Sequence, residues 1–364
     1  MHPRGKVSLL TLSIVAIIGL MLSACGAAQP EATTAAEPVL IAFGFNGPTS
    51  DLGWTWVANE ARLAVEAAYG DRVETVYAEN VPYSQDGTRI FEQFVADGAA
   101  MVIENTGYGE VFQNVIGEHP DVAFMGMNQP MYDNEIGYYV DVRDTAYLIG
   151  MAAGLMTKTN KIGYVCSFAG MNADVNAYHM GALSVNPDVT TQVVCINSWF
   201  DPAAARQAAE ALVDDGADFL YGIMDEPAFL VVAEERGVWA ATWNTDNREF
   251  GPNAYVTSHM INWTDFYVEQ VGKLLDGTWE GGELILLPLG SGTDIDAWGD
   301  AVPQDVRDQV DAMRSRMIEE GYNPFVGPIY DTQGQLRFAE GEVMTPEYGY
   351  DQWNWAVEGV VGLD

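Results

Sequence analysis

Aromatic rings and carboxylates recur in this chain at one kind of place, just after short apolar runs. Asp51, Trp54 and Trp56 follow VLIAFGF (39–45), in the turn NGPTSDLGWTW. Asn105 and Tyr108 sit at and after the end of AAMVIEN (99–105), and Phe168 closes KIGYVCSF (161–168). Trp199, Phe200 and Asp201 end the run that begins at Thr190; Asp225 and Glu226 follow ADFLYGI (217–223). Asp246 follows VWAATWN (238–244), and Trp263 follows AYVTSHMIN (254–262). Flat rings offer stacking faces and carboxylates accept hydrogen bonds, so the set suits a planar ligand with N–H donors, such as a nucleobase. That chemistry is capture. No G-x-S-x-G, P-loop or H-E-x-x-H supports an enzyme, and GFNGPTSDLG lacks the G-x-G-x-x-G spacing of dinucleotide sites. His2, His119, His179 and His259 show no metal-ligand spacing, so neither metal nor cofactor is expected.

Each residue also has a structural reading. Trp54 and Trp56 are two apart and face differently on a helix, so one of them packs in the core. Asp201-Pro202 has the form of an N-cap followed by Pro at N1, and Asp225 can cap the next helix in the same way. Asp51, Trp54, Tyr108, Phe168, Trp199, Asp225, Asp246 and Trp263 are the expected ligand-binding residues.

Something must bring these positions together. Continuous apolar runs alternate with amphipathic stretches, the pattern of a parallel sheet covered on both faces. In the first half, VETVYAE (73–79) and VAFMGM (122–127) complete the strand set, with helices beginning near Trp54, Gln85 and Tyr108. The second half repeats the plan, with helices beginning near Asn172, Pro202 and Glu226. FVADGAAMVIE from Phe94 aligns with LVDDGADFLYG from Leu212. The expected fold is α/β with two similar lobes, each a parallel sheet flanked by helices. One lobe spans 39–142 plus 262–364, with a C-terminal extension that is irregular apart from a helix at 303–321; the other spans 143–261. Ligands of open α/β sheets bind beyond the carboxyl ends of the strands, and facing lobes would aim those ends into one cleft. Cys166 and Cys195 fall in apparent buried strands and read as free thiols, because mid-strand cysteines on parallel neighbours rarely meet disulfide geometry.

Composition narrows the partners. The chain has 364 residues, with 16 Lys and Arg against 52 Asp and Glu, a formal net charge of −36. Phosphate backbones require basic residues, so nucleic acid is excluded as a partner. An anionic membrane surface would likewise repel the body. Attachment is expected instead at the N-terminus. Arg4 and Lys6 precede an apolar run from Val7 to Leu22, then Leu22-Ser23-Ala24-Cys25, which resembles a bacterial lipobox. Residues 1–24 read as a lipoprotein signal, Cys25 as the lipidated first residue of the mature chain, and 25–38 as a tether. The expected location is the cell envelope, outside the cytoplasm. Nothing in the sequence points to an oligomer, and a monomer is expected.

The lipobox, SDLGWTW, DTAYLIGMAAGLMTKTNKIGYV and INSWFDP, in that order, resemble the basic membrane protein family. NPFVGPIYDTQGQ and WAVEGVVG resemble the ending of one of its subgroups. These are substrate-binding lipoproteins of ABC importers with the type I periplasmic-binding-protein fold. The resemblance implies a partner permease and a purine nucleoside or base as ligand. It places Trp54 where an aromatic stacks on the purine, and Asp246 where an aspartate helps hold it. The nucleoside binders carry a lysine shortly after the strand equivalent to AYVTSH; here Ile261-Asn262-Trp263 stands instead, which favours a free base, with adenine as the nearest subgroup ligand. The competing readings are a binder of sugars or signalling molecules, a receptor subunit that presents its ligand to a membrane sensor, and an envelope nucleoside hydrolase. The export signal and the lack of a basic headpiece exclude a repressor of the same fold.

Overall fold

The apolar runs form strands where both faces are covered by helices, which is the setting that favours Val, Ile and Phe in succession. In the computed structural model, which describes residues 37–51 and 53–363, they alternate with helices through two lobes. The export signal, Cys25 and the tether as far as residue 36 lie outside the described residues.

The first lobe runs β1 (Val39–Gly44), α1 (Trp54–Tyr69), β2 (Val73–Ala78), α2 (Gln85–Ala96), β3 (Met101–Glu104), α3 (Glu110–Glu118), β4 (Ala123–Gly126) and β5 (Glu135–Val140). The chain crosses through α4 (Val142–Met156) into β6 (Lys161–Cys166), α5 (Asn172–Val185), β7 (Thr190–Cys195), α6 (Pro202–Asp214), β8 (Phe219–Gly222), α7 (Ala228–Arg236), β9 (Trp239–Trp243) and β10 (Tyr255–Ile261). It returns through α8 (Thr264–Leu275) to β11 (Glu283–Leu287), and then crosses again into β12 (Thr293–Ile295). The tail holds α9 (Gln304–Glu320), β13 (Ile329–Tyr330), β14 (Leu336–Phe338), α10 (Pro346–Asp351) and β15 (Val360–Val361).

The first sheet has the order β11-β5-β4-β3-β1-β2 and is parallel throughout. The second has the order β12-β10-β9-β8-β6-β7-β15, with only β12 antiparallel. In each lobe the first strand lies between its second and third, so the loops after β1 and β3, and after β6 and β8, leave on opposite sides of the sheet. This is the topological switch point at which open α/β sheets take ligands. The fold is the two-lobed α/β architecture expected. Among the described residues no helix is long and apolar enough to cross a membrane.

Three expectations need correction. The segment 262–364 does not belong to the first lobe alone, because β12 and β15 join the second sheet. The tail also carries a second helix, α10, whose six residues are too few to show a period. Cys166 and Cys195 are disulfide-bonded rather than free. They are not mid-strand: they are the last residues of β6 and β7 and face each other in register, with Cα atoms 4.1 Å apart.

Candidate functional site

The turn after β1 is built around Asp51. Its Oδ1 accepts from the backbone N–H of Gly53 (2.9 Å) and Trp56 (2.9 Å), and its Oδ2 accepts from Thr55 N–H (3.0 Å). These are donors that the start of α1 would otherwise leave unpaired. Asp51 therefore spends its oxygens on the helix terminus, and this fixes Trp54 as the first residue of α1. The Trp54 indole N–H donates to the backbone carbonyl of Asn105, at the end of β3. Trp263 is wholly buried and meets Trp54 edge-on, with centroids 5.8 Å apart and planes at 83°. Trp56 packs against the core and stays off the cleft.

The second lobe brings its own indole. Trp243, the last residue of β9, lies parallel to Trp54 at 6.2 Å between centroids and 7° between planes. Asn244 follows it with a positive φ of 65°. With its amide oxygen turned to the indole, Asn244 accepts from Trp243 Nε1 (2.7 Å) and from the Trp54 backbone N–H (3.3 Å). Gly53 and Asp225 meet at the same seam. A Cβ on Gly53 would fall 2.9 Å from Asp225 Oδ1, so only glycine permits this approach.

Between the lobes lies a cavity of about 740 Å³, within the usual range for small-molecule sites. Asp51, Trp54, Tyr139 and Asp141 line it from the first lobe; Asp174, Trp199, Phe200, Asp225 and Trp243 line it from the second. Arg143, at the start of α4, and Tyr350, on α10, complete the wall.

The four carboxylates differ in what they have left to offer. Those of Asp51 are taken by α1. Asp141 is gripped by Arg143, whose Nε (2.8 Å) and Nη2 (2.7 Å) donate to its two oxygens. Asp174 accepts from the hydroxyls of Tyr164 (2.6 Å) and Tyr221 (3.2 Å), and burial raises its pKa to about 7. Asp225 also rises to about 7, through burial first and then the charge of Asp51. Its carboxylate accepts from the Trp54 backbone N–H and, with the amide turned as above, from the Asn244 side chain. Arg143 is committed to Asp141, so the cavity offers acceptors and rings rather than free positive charge.

Of the expected site residues, Asp51, Trp54, Trp199 and Asp225 line the cavity, and four do not. Tyr108 is buried in the outer core of the first lobe, its hydroxyl donating to Val81 O (3.1 Å) and its ring 5.2 Å from Phe91. Phe168 packs beside Trp199 (5.4 Å) outside the cavity wall. Asp246 is exposed and paired with Arg248 at 2.7 Å, a partner visible two residues on in the sequence. Trp263 supports Trp54 from the core. The residues missed are Tyr139, Asp141, Arg143, Asp174, Trp243 and Tyr350. Trp243 and Tyr139 lie inside strands, where an aromatic reads as core. Among the described residues, no group of three His, Cys, Asp or Glu is placed to hold a metal ion.

The chain resembles known proteins over most of its length. It is 34% identical over 335 residues to the putative ABC transporter glucose-binding protein TsgA13 of Haloferax volcanii, covering 90% of this chain and 81% of the relative. It is 31% identical over 333 residues to the purine-binding protein BAB2_0673 of Brucella abortus, covering 90% and 93%. An ABC transporter solute-binding protein from Conexibacter woesei shares the fold, with a TM-score of 0.65 at 22% identity over 78% of this chain and 98% of that one. Residues 39–315 match the family model described as ABC transporter substrate-binding protein PnrA-like. This chain belongs to that family of substrate-binding proteins, the basic membrane protein family its sequence resembles.

Proposed function

We propose that this substrate-binding protein captures a purine, as the free base in preference to the nucleoside, in the cavity between its lobes. The observation that carries the reading is the pair of parallel indoles, Trp54 from one lobe and Trp243 from the other, which line one cavity together with the Asp225 carboxylate. A purine offers a flat face for the rings and amino or ring N–H donors for the remaining acceptor sites of the carboxylate. The Brucella relative's purine-binding description supports the ligand class. The preference for the base rests on Ile261-Asn262-Trp263, where no cation stands, and on Arg143, already held by Asp141.

Proteins of this family work outside the cytoplasmic membrane and deliver small molecules to a permease. In the proposed cycle, ligand favours the state with the lobes together, which the permease recognises. Lipid on Cys25 would tether the protein to the membrane; Cys25→Ser should then move it from the membrane fraction to the soluble one.

A second reading is a hexose, favoured by the Haloferax relative's description as a putative glucose-binding protein. Rings and carboxylates also suit sugar faces and hydroxyls. Mass spectrometry of what the purified protein releases on denaturation separates the two. A purine in the released fraction supports the proposal, and a hexose replaces it.

A further inference from the structure

The match to the family model ends at residue 315, yet the cavity wall does not. Pro346, Gly349 and Tyr350 line it from α10, more than thirty residues further on. We propose that the segment 322–363 is a working wall of the binding site and that Tyr350 is a specificity-determining residue within it. The inference rests on the reading of the cavity given above.

The segment is stitched to all sides of the cleft. Thr345 caps α10, its Oγ1 accepting from Tyr348 N–H (3.3 Å), and its carbonyl accepts from Arg143 Nη1 (3.1 Å). Gly349 lies directly on Arg143: a Cβ there would come within 2.4 Å of the Arg143 Cδ. Arg143 is only 2% exposed, so it cannot yield, and glycine is required. Gln129 Nε2, in the first lobe, donates to Asp351 Oδ2 (2.7 Å). On the far side, Asn176 of α5 donates to Trp355 O (2.7 Å) and accepts from Val357 N–H (2.9 Å), and β15 extends the second sheet. A wall tied to the first lobe, the crossing helix and the second lobe is held in place rather than hanging as a loose end.

Tyr350 is what this wall presents. Its ring sits 5.6 Å from that of Tyr139, and its hydroxyl has no hydrogen-bond partner among the described residues. The ring sets how far a ligand reaches toward α4. The hydroxyl is free to give or take one hydrogen bond. A small flat ligand depends on that ring for contact, and a larger one is limited by it.

The test is calorimetric titration of the full chain and of Tyr350→Ala, Tyr350→Leu, Tyr350→Phe and Trp54→Ala with adenine, adenosine and glucose. Circular dichroism confirms that each variant folds, and Tyr350→Leu, which keeps bulk at the wall, serves if the alanine variant does not. Tyr350→Ala, or Tyr350→Leu in its place, should move the adenine-to-adenosine ratio of dissociation constants toward adenosine by about tenfold, the scale on which pocket contacts discriminate. Tyr350→Phe should keep the wild-type ratio. A ratio unmoved by losing the ring, with Trp54→Ala weakening both purines, overturns this inference and leaves the purine reading standing. No purine binding by the wild-type chain, or indifference to Trp54→Ala, overturns the purine reading and this inference with it.

Discussion

Trp54 and Trp243 lie face to face at 6.2 Å and 7°, and each is delivered by a different lobe. Asp51 fixes the first by pairing the N–H groups at the start of α1; the end of β9 places the second. The stack therefore exists only while the lobes are together. Gly53 against Asp225 and Asn244 against the Trp54 N–H close the same seam. The groups proposed to hold the ligand are also those that join the lobes, so binding and closure share one set of contacts.

Replacing Trp54 with Ala should weaken purine binding by about 1–3 kcal/mol, the scale of base–aromatic stacking. Trp243→Ala should cost a similar amount. Because both rings line one cavity, the double variant should lose less than the two single losses added, and a double-mutant cycle by calorimetry measures the coupling. Strict additivity would mean the rings act separately.

Asp225 gives binding a pH dependence. Burial and the Asp51 charge raise its pKa to about 7, so it is mostly protonated at pH 6 and mostly ionised at pH 8. A ligand N–H donor favours the ionised form. Affinity should therefore rise between pH 6 and 8 by up to about tenfold, one pKa unit being worth 1.36 kcal/mol. Asp225→Asn should flatten that profile and weaken binding. A flat wild-type profile would remove Asp225 from the contact.

Stability without ligand should run the opposite way. Glu104, Asp144, Asp174 and Asp225 all have pKa values raised to about 7, in each case chiefly by burial. Their unfolded-state values lie near 4, so between about pH 4 and 7 the native state holds protons that the unfolded chain has released. Stability from these groups is full below that window and is lost as pH rises through it. His179 and His259 oppose the trend below about pH 6.5, because burial lowers them to about 4 and about 3. Four carboxylates outweigh two histidines, so the melting temperature should fall from pH 5 to pH 8. A scanning-calorimetry series showing a rise would contradict the burial of these charges.

Much of this was legible beforehand, for identifiable reasons. The strands from β1 to β10 sit on the apolar runs because a doubly covered parallel sheet demands continuous apolar residues. Helix starts such as Asp201-Pro202 carry their caps in the sequence; the Asp201 carboxylate does accept from Ala204 N–H (3.0 Å). The site was legible only where a residue stands in a turn after a strand, as do Asp51, Trp54, Trp199 and Asp225. Position after a strand does not fix direction, which is why Tyr108 and Trp263 turned inward. Trp243 belongs to a strand, and Tyr350 reaches the cavity through a tail without periodicity. The pairing of Cys166 with Cys195 depends on strand register, which a single sequence does not display.

That disulfide closes a loop with a sequence separation of 29. Cross-links of this span stabilise by about 3–4 kcal/mol in the chain-entropy account. Cys195→Ser, or reduction, should lower the denaturant midpoint accordingly while leaving the cavity residues in place. An unchanged midpoint under reductant would show the bond to be absent in solution.

The central claim is that the cavity between Trp54, Trp243 and Asp225 takes a purine base. Its most direct test is calorimetric titration of the protein, unfolded and refolded to remove carried-over ligand, with adenine, guanine, hypoxanthine, adenosine, guanosine, ribose and glucose. The account predicts tight binding of a base, weaker binding of its nucleoside, and no heat from ribose or glucose. Tight binding of glucose with silence from every purine would contradict it.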